Sequence, residues 1–445
     1  MNTRSMLIVA DDLSGAADCA IAFAGAGRRT VVTLETSGVT TAAAEADHVD
    51  VIAADTDTRR LSPQDAAQHT ADAFNALNAP GRRLYKKIDS TLRGNWTAEV
   101  AALQPLAGLA IVAPSFPATG RTLHQARVLV HGEPLENTDT WKLENAGRPA
   151  NVRTMLEEAG LRCESIDVDT LRGDIDALLD RIKAAGTQGV QALIVDAHSG
   201  GDLKRLAQAT TQLDPREHPL FWVGSGGLAR ELASLPDLFD ALPRETLVHE
   251  KQEGAILTLV GSLSAVSERQ CAMLRERARV SELIVPPAVL RVGSEHTDWR
   301  MWQSKIGEHL ERHLDLLVRI GRDDAFDPAE GAHLSTALAA LVTPHFRHVG
   351  GLIATGGETA RAMLSAAGIG SLDLLAEVEA GVAVARPCGQ HAARPAIVTK
   401  AGAFGSEHAL FGAWEHLQRL PLPTKPTQQP SQPTLRAPDA ATNTH

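Results

Sequence analysis

Several short segments of this chain gather residue types that could carry chemistry. The densest is YKKIDSTLRGN, where Lys86, Lys87, Asp89, Ser90, Thr91, Arg93 and Asn95 fall close together. Lysine and arginine there could hold an acid's carboxylate or a phosphoryl group in transfer. An aspartate could accept the proton of an attacking hydroxyl. Asp89-Ser90-Thr91 would also make a helix N-cap, but capping calls for neither Lys87 nor Arg93. ADDLSGAADCA sets Asp11 beside Asp12, just before Ser14-Gly15. Such a pair could bind sugar hydroxyls or organise Mg2+, or one Asp could simply cap the next helix. AADTDTRR adds Asp55, Asp57, Arg59 and Arg60. A guanidinium can offer a carboxylate two parallel hydrogen bonds, although an internal ion pair in a solvated loop would use the same residues. In APSFPATGRT two prolines stiffen a loop that carries Arg121, which suits either a binding wall or a plain connector.

The second half has another character. Gly261-Ser262-Leu263-Ser264, Thr355-Gly356-Gly357-Glu358-Thr359 and Lys400-Ala401-Gly402-Ala403-Phe404-Gly405 are small-residue turns. Helices are expected after the first two, near Ser267 and over Ala360–Ala367. Free N–H groups at such turns, with the helix dipole behind them, suit phosphate. Any α/β protein needs tight turns, so the weight lies in finding three in one half.

Each of these segments follows a short apolar run, which makes it the end of a strand. The runs are Met6–Ala10, Thr30–Leu34, Val49–Ala54, Leu84–Ile88, Ala110–Ala113, Ala192–Asp196 and Leu220–Val223. In the second half they are Ile256–Val260, Leu316–Ile320, Gly351–Ala354, Val382–Ala385 and Ala396–Thr399. Alternation of such runs with Ala/Leu-rich helical stretches predicts an α/β fold of two lobes with mainly parallel sheets and an active-site cleft between them. In open α/β sheets ligands bind beyond the C-terminal strand ends, where the polar clusters lie. A break over 235–254, LPDLFDALPRETLVHEKQEG, divides an expected N-terminal domain at 1–245 from a C-terminal domain at 250–420. The Pro/Thr/Gln-rich end, 421–445, is expected to be disordered.

Composition bounds the function. With 445 residues there is room for two large domains, and a net charge of -11 gives no nucleic-acid footprint. No run reaches membrane-spanning length, and Met6–Ala10 is too short for a signal peptide. Cys19, Cys163, Cys271 and Cys388 lie far apart and form no CxxC, which fits reduced thiols in the cytoplasm. There is no GxxxxGK[ST], no GxSxG and no HExxH, and Gly224-Ser225-Gly226-Gly227 only approaches a dinucleotide fingerprint. Three alternative classes fit parts of this pattern: an NAD-dependent oxidoreductase on similar acids, a non-catalytic sugar-acid sensor, and a Schiff-base aldolase using Lys87.

In order along the chain, ADDLSGA, KKIDSTLRGN, SFPATGRT, VGSLSAVSERQ, TGGETARAML and TKAGAFG resemble the four-carbon acid sugar kinase family over roughly residues 5–415. The resemblance implies an N-terminal lobe for the acid and a C-terminal lobe for ATP, with Mg2+, and phosphorylation of the C4 hydroxyl of a tetronate. By motif, the acid site would use Asp12, Arg59, Lys87, Asp89, Ser90 and Arg93. The nucleotide site would use Ser262, Ser264, Gly356, Gly357, Glu358, Thr359 and Gly402. The catalytic candidates are Asp89, Asp12 and Lys87. As general base Asp89 stands slightly ahead of Asp12, and the ligands of any metal are left open. KIDSTLRGNWTAE is like the threonate and erythronate kinases and unlike the CSTFDST…GNIG of 3-oxo-tetronate kinases. D-threonate is therefore the favoured substrate, followed by D-erythronate and then the 3-oxo acid. No nucleic-acid or membrane partner is implied, and a homo-oligomer is left open. Substituting Gly357 by a bulky residue is expected to abolish nucleotide binding and spare the acid.

Overall fold

The computed structural model describes residues 4–36, 49–145, 147–239, 252–325, 327, 330–388, 395–402 and 404–421. The tail predicted to be disordered lies outside the described residues beyond Pro421, as do Ala403 and most of the break over 235–254.

Every one of the apolar runs forms a strand. In chain order the strands are β1 (Ser5–Ala10), β2 (Thr30–Thr33), β3 (Val51–Asp55), β4 (Arg82–Lys87), β5 (Leu109–Ala113), β6 (Arg121–His124), β7 (Arg127–Val130), β8 (Glu133–Pro134) and β9 (Cys163–Ile166). They continue with β10 (Ala192–Val195), β11 (Leu220–Gly224), β12 (Ala255–Val260), β13 (Ser281–Val285), β14 (Leu316–Ile320), β15 (Val349–Thr355), β16 (Ser371–Glu379), β17 (Val382–Pro387) and β18 (Ala396–Lys400). The strands not foreseen have physical reasons for hiding. β9 and β13 are the two outer edges of the main sheet, where half the pairing is missing and polar residues are tolerated. β16 carries Asp373, Glu377 and Glu379, so it reads as half-exposed, and β6 to β8 form a small separate sheet.

The α/β class with mainly parallel strands holds, but the two halves share one sheet. Its order is β13-β14-β12-β15-β18-β17-β16-β2-β3-β1-β4-β11-β5-β10-β9. β12 to β15 and β18 pair in parallel, as do β1 to β5 and β9 to β11. The seam is antiparallel, at β18/β17, β17/β16 and β16/β2. Strands of the two halves therefore run in opposite directions through the seam, and in a flat sheet their C-terminal ends would lie on opposite edges. Twist of about 20–25° per step, over the six steps from β15 to β1, amounts to roughly 120–150°. That rotation turns both sets of C-terminal ends toward one shared cleft.

The core follows from the strand period. Met6, Ile8 and Ala10 pack on one face and Leu7 and Val9 on the other. The first face forms a single cluster running through both halves, from Met6 to Ile397, whereas the opposite face is split in two. Helix Leu13–Gly25 is the wedge between the halves. It touches β2, β3 and β16 and also helices Gly226–Ala233 and Gly357–Ala366. Its sequence LSGAADCAIAFAG is rich in small residues, which let so many neighbours approach closely.

Candidate active site

Strand register lines up the polar segments. Ala10 pairs with Asp55 on one side and Lys87 on the other, and Gly224 pairs with Lys87 and Ala113. The residues just beyond β1, β3, β4, β5 and β11 are thereby level with one another. In the other half Val260 pairs with Thr355, and Thr355 with Lys400. This aligns the three small-residue turns. The two groups meet in a cleft lined by Asp12, Ser14, Gly15, Asp18, Arg59, Lys87, Asp89, Ser90, Arg93, Phe116, Ser225, Gly226, Gly381, Ala401 and Phe404.

All six acid-site candidates line this cleft, though several are already engaged. Arg59 donates to both oxygens of buried Asp11, at 2.7 and 2.8 Å, and to Asp12 Oδ2 at 2.8 Å. Burial works to raise the Asp11 pKa, but Arg59 outweighs it and holds the carboxyl below its usual value. Gly94 stands at φ 81°, and a side chain there would press on Asp11 Oδ2 at 2.9 Å, so only glycine lets this loop close over the pair. Arg93 grips Asp89 with two bonds, Nε to Oδ2 at 2.8 Å and Nη2 to Oδ1 at 3.0 Å. Thr91 donates to the same Oδ2 through both its N–H, at 3.2 Å, and its hydroxyl. Burial would raise the Asp89 pKa, yet Arg93, Arg59 and Thr91 hold it well below the carboxylate range. The helix after this segment begins only at Trp96, with Asn95 as its N-cap residue. The Asn95 side chain instead ties down the Thr58 and Leu61 carbonyls.

Asp12 is placed differently. It caps helix Leu13–Gly25, with Oδ1 accepting from Gly15 N at 2.9 Å. Its Oδ2 faces the other half, and a Cβ on Gly357 would stand 3.0 Å from it and 3.3 Å from Ser14 Oγ. Ser14 Oγ is buried and has no partner among the described residues. Lys87, 5% exposed, donates to the Ile88 carbonyl at 3.0 Å beside the same cap. Its neighbour Lys86 points to the opposite sheet face, as strand alternation requires, and pairs with buried Glu99 at 2.8 Å. Lys86 therefore stands outside the site.

The nucleotide-site candidates divide in two. Ser262, Ser264, Gly356, Gly357 and Gly402 form one surface. Ser262 Oγ bonds Ser264 Oγ at 3.1 Å, and Ser264 caps helix Ala265–Ala278. A side chain on Gly402 would meet Ser262 Oγ at 2.9 Å, and Gly356, at φ 97°, opens helix Gly357–Ala366. Thr359 is instead buried against Gly261 and bonds Ser335 at 3.0 Å, and Glu358 forms an ion pair with Arg60 of the other half. Three more pairs cross between the halves. Arg230 binds Glu377 at 2.5 Å, and Arg361 binds Asp55 at 2.5 Å and Asp57 at 3.0 Å. Asp55 and Asp57 are thus committed to this contact. Burial pushes the Asp55 carboxyl up to about 7 despite Arg361.

Comparison with known proteins follows the same division. Residues 6–232 match the family model for a sugar-binding N-terminal domain, and residues 257–410 match that for a nucleotide-binding C-terminal domain. The chain is 52% identical to a D-threonate kinase of Cupriavidus necator, over 94% of this chain and all of that one. The chain belongs to the four-carbon acid sugar kinase family. It is a kinase. A D-threonate kinase of Bordetella bronchiseptica matches at 32%, over 91% of this chain and 96% of that one. A solved Salmonella typhimurium structure superimposes with TM-score 0.74 at 21% identity, over 93% of this chain and 99% of that one, which shows the shared fold. No helix among the described residues is long and apolar enough to cross a membrane.

The kinase's cleft and its walls also contain residues that sequence reasoning did not assign to the site. Asp18 lies one turn along the helix from Ser14, with Arg230 at 4.0 Å, and burial raises its pKa against the pull of Lys87 and Arg230. The four-residue spacing from Ser14 was a usable signal. Ser225 and Gly226 join the site only because β11 lies beside β4, which no local motif reveals. Buried Lys400 donates to the carbonyls of Ala401, Gly402 and Phe404 at 2.8, 2.9 and 2.9 Å and shapes the last turn from within. Burial pushes its pKa down to about 8.

Proposed function

We propose that this kinase transfers the γ-phosphoryl of ATP to the C4 hydroxyl of D-threonate, giving 4-phospho-D-threonate. The observation that carries the reading is the approach of Asp12 to Gly357. A carboxylate of the acid pocket lies against the first residue of a helix whose free N–H groups suit phosphate. In-line transfer requires acceptor and phosphoryl group to come within about 3–3.5 Å, and this junction is where the two sites touch. The 52% identity to a D-threonate kinase over nearly the whole chain supports the choice of acid.

We assign proton acceptance to Asp12, which reverses the order expected from sequence. Asp89 lacks the basicity for the task, since Arg93, Arg59 and Thr91 hold its carboxyl well below the usual range, and its Oδ2 already takes donors from Thr91 and Arg93. Among the described residues each Asp12 oxygen takes a single hydrogen bond, and the side chain is 20% exposed. Asp89 and Arg93 then act as a rigid wall, and Lys87 supplies positive charge near the transfer point. Ser14 Oγ, buried and without a partner among the described residues, can donate there. Gly356, Gly357, Gly402, Ser262 and Ser264 form the phosphate-facing surface.

Magnesium would accompany the nucleotide and offset phosphate charge. No group of three or more His, Cys, Asp or Glu among the described residues could hold a metal. An ion bound mainly by the nucleotide's phosphates and by water needs no such cluster. We place residues 1–245 and 250–420 as acid-binding and nucleotide-binding domains, and the protein in the cytoplasm, in keeping with its four free cysteines.

The test is a coupled ADP-release assay over D-threonate, D-erythronate and 3-oxo-tetronate. The highest kcat/KM is expected for D-threonate. Absence of ADP release with every tetronate, or a clear preference for another acid, would refute the assignment.

A further inference from the structure

A four-carbon acid brings a carboxylate at one end and its reacting hydroxyl at the other. The carboxylate needs a cation whose charge is not already matched. Two guanidiniums at the cleft are matched: Arg59 lies against Asp11 and Asp12, and Arg93 against Asp89. Lys87 stands beside Gly15 at the Asp12 cap, and its charge also acts on Asp18. The opposite end lies one helical turn beyond Ser14, about 6 Å along the helix axis, at Asp18, Phe116 and Phe404.

Arg121 belongs to that far end. It follows the short turn Pro117–Thr119 and opens β6, and Nη1 is steadied by Thr119 Oγ1 at 2.9 Å. Its guanidinium lies over the ring of Phe404, 5.1 Å from the centroid, so a residue of the nucleotide half supports a cation of the acid half. Its Nε is buried with no partner among the described residues, and no carboxylate among them lies within ion-pair distance. Burial lowers its pKa, while Asp89, Arg93 and Asp18 are the charged groups that act on it. This is an under-matched, oriented cation at the edge of an acid-binding cleft.

We propose that Arg121 binds the substrate carboxylate and, braced by Phe404, aims the C4 hydroxyl at Asp12 and Gly357. The assignment rests on the tetronate-kinase reading above. It also ties acid recognition to the turn after β18, because Phe404 follows Gly402 in that turn.

The experiment compares D-threonate with threitol, in which a CH2OH replaces the carboxylate, for the wild type and for Arg121→Gln, Arg121→Lys and Phe404→Leu. Arg121→Gln should lower kcat/KM for D-threonate about 10- to 100-fold, chiefly through KM, while changing threitol less than about 2-fold. Arg121→Lys should recover part of the loss because it restores the charge. Phe404→Leu should shift threonate in the same direction by a smaller factor. An equal loss on both acceptors would overturn the proposal, since it would place Arg121 in phosphate handling or in the scaffold. Unchanged threonate kinetics in Arg121→Gln would also overturn it. Failure of the wild type to use D-threonate at all would instead strike the tetronate-kinase reading, and the Arg121 assignment would fall with it.

Discussion

Gly357→Ala probes the junction on which the functional reading rests. The new methyl would stand 3.0 Å from Asp12 Oδ2 and 3.3 Å from Ser14 Oγ, closer than an ordinary contact of about 3.5 Å. Asp12 cannot simply retreat, because Arg59 Nη1 holds it at 2.8 Å and Gly15 N at 2.9 Å. Moving it by a few tenths of an ångström strains a charge-assisted bond worth about 1.5–3 kcal/mol. Misplacing a reacting group by 1 Å can cost about 100-fold, so a partial shift should cost about 10- to 100-fold in kcat/KM, or roughly 1.4–2.7 kcal/mol. Helix propensity works the other way on stability, since alanine is favoured over glycine in a helix by up to about 1 kcal/mol. The melting temperature should therefore fall only slightly while catalysis falls. Steady-state ADP release with both substrates varied measures the first effect, and calorimetry with D-threonate alone measures acid affinity. Both substrates should be affected, in contrast to the expectation from sequence that only nucleotide would suffer. Acid affinity equal to wild type, with only ATP use impaired, would refute the contact between Asp12 and the Gly357 turn.

Other substitutions separate the remaining roles. Asp12→Asn should lower kcat by about 100- to 10,000-fold, whereas Asp89→Asn should mainly raise KM for the acid and lower the melting temperature; the opposite pattern in initial-rate kinetics would return the base to Asp89. Asp55 has a folded pKa of about 7 against about 3.9 unfolded, so the folded state holds the extra proton between those values. Stability should accordingly fall as pH rises from about 4 to about 7 and level off above, and Asp55→Asn should flatten that slope in melts across pH; an unchanged slope would rule out Asp55 as its source. Lys400→Met would leave the carbonyls of Ala401, Gly402 and Phe404 without their donor, so nucleotide affinity and melting temperature should both drop, and calorimetry showing neither would remove Lys400 from the turn's support.

Much of this protein is local and therefore legible in the chain. Buried parallel strands must be short apolar runs, so every predicted run formed a strand. Ligands gather at strand ends, so KKIDSTLRGN, ADDLSGA and the glycine turns marked the cleft before any contact was known. What a segment does once it reaches the cleft depends on its neighbours. Arg59 and Arg93 read as open anion binders, yet Asp11 and Asp89 already occupy them. Lys86 and Lys87 are adjacent in sequence, but strand alternation sends one into a buried ion pair and the other into the site. Glu358 belongs to a phosphate-type turn by motif and to a bridge between halves by contact. The antiparallel seam through β16 and β17, and the twist that turns opposed strand ends into one cleft, arise from pairing between residues far apart in the chain. Such pairing leaves no periodic trace in either partner. The sequence by itself determined the strands, their polar ends and the chemistry on offer, because these depend on neighbours a few residues away. Only the tertiary structure decided which charges are spent on one another and which remain for a substrate, because that balance depends on distances and burial across strands.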